Sequence, residues 1–323
     1  MNRLAAYLLT AATAAMAGCG AQAALLGAEK GHLFVANDVL AAPGQTVSLR
    51  IRHQSGDLLT DRAGHVVHFL IDGRLYRAAE TDQDGIASVT FTPPTPGQYL
   101  FTAAFSPNGF ADEPPSPVQL RVACLPADTP IMIVDLDHTL VAGGFEQVLI
   151  GDPAPLPHSR QVMARLAERF RPVYLTHRPY YFATKSKAWL GRYGYPPGAV
   201  LFSDVQGFLK GSEAYKSAAL SDLRRTFKQI RIGIGDKPAD AKAYHDNGIA
   251  AFLIVQPTPA DGLKALKELA TELAGLPEDV QVTTDWREIE RAVLGEARYG
   301  RSRVQAQLDG MIRDLEGRTG GNR

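Results

Sequence analysis

Four consecutive apolar residues, Ile131-Met132-Ile133-Val134, run straight into an acidic segment, Asp135-Leu136-Asp137, and this junction constrains the chain more than any other feature. An apolar run without polar alternation marks a strand buried on both faces, the situation of a parallel sheet. Comparable runs follow at 172–175, 200–202, 230–234 and 250–255. Segments with helical spacing lie between them, including 158–170, 181–193, 213–227 and 239–247. Strand and helix in alternation predict a doubly wound α/β domain over residues 130–298, closed by a helix at about 286–294. The tail, 299–323, is charged and Gly-rich at its end, so it is expected to be loosely ordered.

The preceding stretch, 31–125, has a different rhythm. Residues 46–52 (TVSLRIR) alternate apolar and polar side chains, as do 66–71 and 86–91, with turns at Asp72-Gly73 and Asp84-Gly85. Further strands are expected at 99–103 and 118–122. About seven short strands with turn signals at this spacing predict an all-β sandwich. The stretch from Thr81 to Phe105 resembles the immunoglobulin-like repeats of bacterial surface proteins in its Asp-Gly turn, Thr-Pro segment and Gly-x-Tyr step. That resemblance implies a fold and says nothing of function.

At 323 residues, 45% hydrophobic and 21% charged, the chain has the length and composition to bury a core in each domain. Lys+Arg and Asp+Glu balance at 34 each, which removes any global electrostatic case for nucleic acid as a partner. Residues 1–23 read as a targeting segment. Met1-Asn2-Arg3 precedes an apolar stretch, 4–17, with the length of a signal h-region. It falls short of the ~20 residues that span a bilayer. Two cleavage readings fit. Met16-Ala17-Gly18-Cys19 resembles a bacterial lipoprotein box, which would make Cys19 a lipid anchor, and Ala21-Gln22-Ala23 offers a plain A-x-A site. The lipoprotein reading is preferred, because a cysteine directly after small residues at the end of an h-region is otherwise rare. The second cysteine, Cys124, then has no disulfide partner and reads as a half-buried thiol in a strand.

Open parallel sheets bind ligands at the carboxyl ends of their strands. The first apolar run is followed by Asp135 and Asp137, the second by Thr176, and the fourth by Gly235-Asp236-Lys237-Pro238-Ala239-Asp240, while Lys210 and Lys216 follow the third. Carboxylates, a hydroxyl and lysines therefore converge on one sheet edge.

These residues carry a resemblance. DLDHTL is similar to the D-x-D-x-T signature of haloacid dehalogenase (HAD) superfamily phosphatases, LTHRP to their strand-end Thr motif, and GDKPAD to their G-D-x-x-x-D motif. VYLTHRPYYFATKSKAWL and GIGDKPADAKAYHDNGI further resemble the lipin-like LNS2 branch, which includes phosphatidate phosphatases. Asp236 stands where many eukaryotic lipins carry Asn. The resemblance implies a Rossmann-like HAD fold and a Mg2+-dependent phosphomonoester hydrolase. Asp135 would be the nucleophile and Asp137 the general acid and base. Mg2+ would be held by Asp135, the Asp137 carbonyl and Asp236, with Asp240 as a ligand or close behind. Thr176 and a lysine would bind the phosphoryl group, the lysine being Lys216, with Lys210 as fallback. Arg178 is read as a phosphate or head-group contact or, alternatively, an exposed surface arginine.

Other residues read more plainly. His138 and His177 are expected to face solvent or cap. His65 and His68, three apart on a strand, would face opposite sides, and Asp82 and Asp84 belong to a hairpin turn. About 40 residues separate Asp135 from Thr176, and about as many separate Thr176 from Lys216, so the crossovers leave no room for a large cap domain. An open site beside a lipid anchor favours a phospholipid such as phosphatidate, in an exported protein of the cell envelope facing the periplasm. The rival readings are a broad-specificity periplasmic phosphatase and a non-catalytic phosphate- or lipid-binding envelope module.

Overall fold

The computed structural model describes residues 31–56, 59–106, 114–144, 147, 151–295 and 297–320. The signal segment, Cys19 and both candidate cleavage sites lie outside the described residues. Among the described residues, no helix is long and apolar enough to cross a membrane.

The two-domain layout is as expected, an all-β N-terminal domain followed by an α/β domain. One sheet of the first domain centres on β3 (Val47–Ser55), which pairs with β1 (His32–Ala36), β4 (Thr60–Asp61) and β7 (Ile86–Phe91). The other runs from β2 (Val39–Ala41) through β9 (Val118–Cys124), β8 (Gly97–Phe105) and β5 (Val66–Ile71) to β6 (Arg74–Glu80). Alternate residues of these strands, such as Leu49, Ile51, Val67, Phe69 and Phe101, point into a shared core, which is the period-2 burial of a sandwich. Asp82 forms the turn foreseen before β7, its Oδ1 accepting from the N–H groups of Asp84 (3.0 Å) and Ile86 (2.9 Å). Cys124 is a free thiol that is fully buried, not half-buried, because β2 and β8 flank it.

The second domain is a six-stranded parallel sheet in the order β12-β11-β10-β13-β14-β15. Its strands are β10 (Ile131–Val134), β11 (Arg171–Pro179), β12 (Ala199–Ser203), β13 (Ile230–Gly235), β14 (Ala250–Ile254) and β15 (Gln281–Thr283). The helices are α1 (Ser159–Leu166), α2 (Ala183–Arg192), α3 (Val205–Lys210), α4 (Ser212–Thr226), α5 (Pro238–Asp246), α6 (Gly262–Ala274), α7 (Trp286–Leu294) and α8 (Ser302–Gly320). β10 shows why an unbroken apolar run was needed. Met132 and Val134 enter the core on one face, Ile131 and Ile133 the core on the other, and all four are 0% exposed. Each such side chain stabilises the fold by about 1.5–3 kcal/mol. The chain leaves β10 toward β11 and β12, then returns to β13 on its other side. The topological switch point is therefore between β10 and β13, where Asp135 and Asp236 emerge.

The C-terminal tail corrects the sequence reading. Residues 302–320 form α8, which packs on α6, and Val304 and Leu308 are completely buried. Val304, Leu308, Met311, Ile312 and Leu315 lie three or four apart, so the intervening charges conceal an amphipathic stripe. The Tyr299 backbone links this helix to the sheet, its carbonyl accepting from Val282 N (2.7 Å) and its N–H donating to Gln281 Oε1 (2.7 Å). The domain accordingly extends to residue 320. Leu308→Ala is expected to lower stability by about 2–5 kcal/mol in denaturant unfolding, the range for a buried leucine truncation, whereas a loose tail would show no change.

Candidate active site

Asp135 follows the last residue of β10, and its backbone N–H donates to Ile234 O (3.0 Å) across the switch point. Its carboxylate is 93% removed from solvent and has two donors: Leu136 N on Oδ1 (2.7 Å) and Lys216 Nζ on Oδ2 (2.6 Å). Lys216 comes from the second turn of α4. Its Nζ also donates to Asp240 Oδ2 at 2.6 Å, and the whole side chain is 0% exposed. Burial alone would push this ammonium down, but Asp135 and Asp240 reverse the effect and hold it well above the usual lysine range. Lys210, the fallback, sits exposed at the end of α3, so the structure brings Lys216 and not Lys210 to the carboxylates.

Asp236 and Asp240 reach the site from the end of β13 and the first turn of α5. Gly235 makes room, since a Cβ there would come within 3.0 Å of Asp240 Cβ. One carboxylate oxygen from each of Asp135, Asp236 and Asp240 lies within 4.8 Å of the others. Asp236 Oδ1 and Asp240 Oδ1 are buried without a hydrogen-bond partner. Buried carboxylate oxygens are costly to leave unpaired, and hard oxygen donors held this close suit a divalent cation such as Mg2+. The residues present therefore fit the metal implied by the resemblance. Burial first, and then the charges of Asp135 and Asp240, push the Asp236 carboxyl up to about 8.

Asp137 and Arg178 are paired with each other, and the exposed-surface reading of Arg178 does not hold. Arg178 is neither exposed nor turned toward an open substrate position. Its side chain is 2% exposed and forms a bidentate pair with Asp137, Nε to Oδ2 at 2.9 Å and Nη2 to Oδ1 at 2.7 Å. The third nitrogen, Nη1, donates to Ser186 Oγ in α2 (2.8 Å). Arg178 lies within the register irregularity of β11 against β12 between Thr176 and Pro179, which no local pattern announces. To carry a proton to a leaving group, an Asp137 oxygen must first exchange its guanidinium partner. Thr176 lies where expected at the inner part of the β11 end, fully buried, with Oγ1 accepting from Arg178 N (3.3 Å).

His138 is exposed in a left-handed turn (φ 51°) after Asp137. His177 is not solvent-facing: it stacks on Phe208 of α3 (centroids 4.9 Å apart), its Nε2 is buried without a partner, and burial pushes its imidazole below the usual range. His65 meets His53 of β3 (centroids 5.0 Å apart) rather than His68. Sequence reasoning missed Ser186 and Tyr244. The Tyr244 ring packs where a Cβ on Gly233 would have to stand, and its hydroxyl is buried beside the carboxylates.

Comparison with known proteins bears on the α/β domain at family level. Residues 132–254 match the family model described as PITM 1-3, LNS2 domain, which connects this part of the chain with HAD-like, phosphatase-type domains. No curated protein matches the chain. Among solved structures it is similar to the D00-D0 domain of intimin (20% identity, 30% of this chain and 48% of that one, TM-score 0.23). It is also similar to the D0-D1 domain of intimin (18%, 31% and 56%, 0.23) and to fibronectin(III)-like modules of Clostridium thermocellum CbhA (11%, 30% and 48%, 0.23). The chain spans about half the length of these structures. Likenesses this weak add nothing to the two-sheet architecture, which rests on its own strand pairing.

The raised Asp236 carboxyl gives a signed prediction. Its pKa is higher in the folded protein than in the unfolded chain, so its contribution is complete below about pH 4 and lost as pH rises toward 8. Metal-free protein is expected to melt at a lower temperature at pH 8 than at pH 5. Millimolar Mg2+ should raise the melting temperature more at pH 8, and Asp236→Asn should flatten both trends in the same thermal scans.

Proposed function

We propose that the protein is a Mg2+-dependent phosphomonoester hydrolase that works through an aspartyl phosphate on Asp135, with a phospholipid such as phosphatidate as substrate at the cell envelope. The observation that carries the reading is the Asp135–Lys216–Asp240 chain beside Asp236, with two buried carboxylate oxygens left unpaired. An Asp135 oxygen would attack phosphorus as the bond to the leaving alkoxide breaks, and Asp137 would deliver a proton to that oxygen. Asp137 would then take a proton from the water that displaces Asp135 from phosphorus, releasing phosphate. Thr176 would donate its hydroxyl to the phosphoryl group, and Lys216 would offset charge on Asp135 as it is released. Mg2+ held by Asp135, Asp236 and Asp240 would supply positive charge for the phosphoryl oxygens.

Two observations support a bulky phosphoester rather than a small metabolite. A cavity of about 370 Å³ beside Asp236, lined by polar residues such as His138, Gln147 and Asp261 as well as by Val141 and Leu269, leaves room for a group larger than the phosphate alone. Among the described residues, short turns and helices follow β10, β11 and β13, with no cap-sized insertion over their ends. Cys19, outside the described residues, would tether the protein to the membrane on the periplasmic side.

The full chain in detergent is expected to release phosphate from p-nitrophenyl phosphate with Mg2+ and to stop with EDTA. Asp135→Asn should lower the rate by ~10³-fold or more, the scale of removing a nucleophile. Lys216→Met should be similarly defective, and Lys210→Met should match the wild type within about twofold. The substrate is tested by phosphate release from phosphatidate vesicles against soluble phosphomonoesters. No preference for the vesicles would remove the lipid from the proposal, and equal rates for Asp135→Asn and wild type would remove the mechanism.

A further inference from the structure

The sandwich grips the α/β domain on both sides of the pair that orients Asp137. Arg178 holds the Asp137 carboxylate through two nitrogens and is itself held by Ser186 through the third. Residues 178–186 comprise the end of β11, a single 3-10 turn at Tyr180–Phe182 and the start of α2. Two residues past Arg178, the Tyr180 hydroxyl accepts from Arg52 Nη1 of β3, whose guanidinium also stands 5.6 Å from the Tyr180 ring centroid. Arg52 is fixed in turn by Asp61 of β4, Nε to Oδ1 at 2.9 Å and Nη2 to Oδ2 at 3.0 Å.

The second grip lies one residue past Ser186. Lys187 Nζ donates to Ala36 O (2.9 Å), Asp38 Oδ1 (3.0 Å) and Gln119 O (2.8 Å), three acceptors from the sandwich for the three donors of an ammonium. Asp38 cannot swing away. Its side chain is 3% exposed, and its two oxygens also accept from Arg121 N (2.9 Å) and from Val200 N of β12 (3.1 Å). Between the grips, Leu33 and Val35 of β1 join the same buried cluster as Tyr180, Ala183 and Trp189. A passive spacer has no need of charged side chains desolvated against its neighbour, since such pairs gain little over apolar packing.

We propose that the sandwich belongs to the catalytic apparatus, with Arg52 and Lys187 as positioning residues that set the Asp137 carboxylate through the segment 178–187. The inference rests on Asp137 acting as the general acid. Misplacing a reacting group by about 1 Å costs up to ~10²-fold in rate, and general acid catalysis contributes ~10²–10⁴-fold only where the leaving group needs a proton.

The test compares leaving groups in the full chain with Mg2+. Glycerol 3-phosphate departs as an alkoxide that needs the proton, whereas p-nitrophenyl phosphate departs as a stable phenolate. Lys187→Met and Arg52→Gln are each expected to lower kcat on glycerol 3-phosphate about tenfold further than on p-nitrophenyl phosphate, with Arg52→Lys recovering part of the difference. Equal losses on both esters, or none on either, would overturn the inference, and melting temperatures would identify a variant that fails to fold. Hydrogen exchange supplies a second arm, with faster exchange at residues 178–187 expected in both variants. A wild type inert on both esters and on phosphatidate vesicles would refute the phosphatase reading instead. Exchange would then decide alone, faster exchange upholding the positional claim and unchanged exchange overturning it.

Discussion

The buried ammonium of Lys216 is the interaction on which the site depends. It is completely enclosed and reaches Asp135, just past β10, and Asp240 on α5 at 2.6 Å each, so it joins three segments far apart in sequence. A lysine so placed is stable only while both carboxylates face it, and removing one partner of such a buried pair costs about 3–5 kcal/mol. Much of the neighbouring sequence follows from this demand. Gly235 lets Asp240 approach the strand, Gly233 makes space for Tyr244, and the apolar faces of β10 exclude the water that would otherwise solvate the charges.

How much of this was legible in the sequence depends on whether the signal was local. The five principal strands of the α/β sheet announce themselves as apolar runs, and Asp135, Thr176 and Asp236 stand out because each follows one. Lys216 stands out over Lys210 by its place at the start of a helix, and it is the lysine that meets Asp135. What sequence reasoning missed was tertiary or short. β15 has only three residues, too few to display a period. The Arg178–Asp137 pair joins residues 41 apart through a register irregularity in β11, and Ser186 contributes from the next helix. The stripe on α8 was present at 304, 308, 311, 312 and 315, and was overlooked because charge and terminal glycines dominated the composition of the tail.

The sandwich shows the limit of reading domains one at a time. Its strands, turns and core follow from alternation and Asp-Gly signals within residues 31–125. Its contacts with the α/β domain include the side chains of Arg52, Asp38, Leu33 and Val35. In sequence these are unremarkable: two charges beside strand residues and two members of an apolar strand. Their significance lies in what they face, the segment from Arg178 to Lys187 and the helix it enters. A boundary drawn in the sequence at Pro126–Pro130 is therefore a boundary of chain and not of mechanical independence.

The charges at the switch point carry the argument one step further. Three carboxylates, Asp135, Asp236 and Asp240, face a single buried ammonium, while Arg178 is already paired with Asp137. In a poorly solvated site such an excess of negative charge acts strongly, because the effective dielectric is far below that of water. Burial first, and then this excess of charge, push the Asp236 carboxyl up to about 8, and a proton there relieves part of it. A phosphate ester, itself anionic, would meet net repulsion at this edge of the sheet. A divalent cation among the three carboxylates would offset that repulsion, and the unpaired Oδ1 atoms of Asp236 and Asp240 are the oxygens that could hold it.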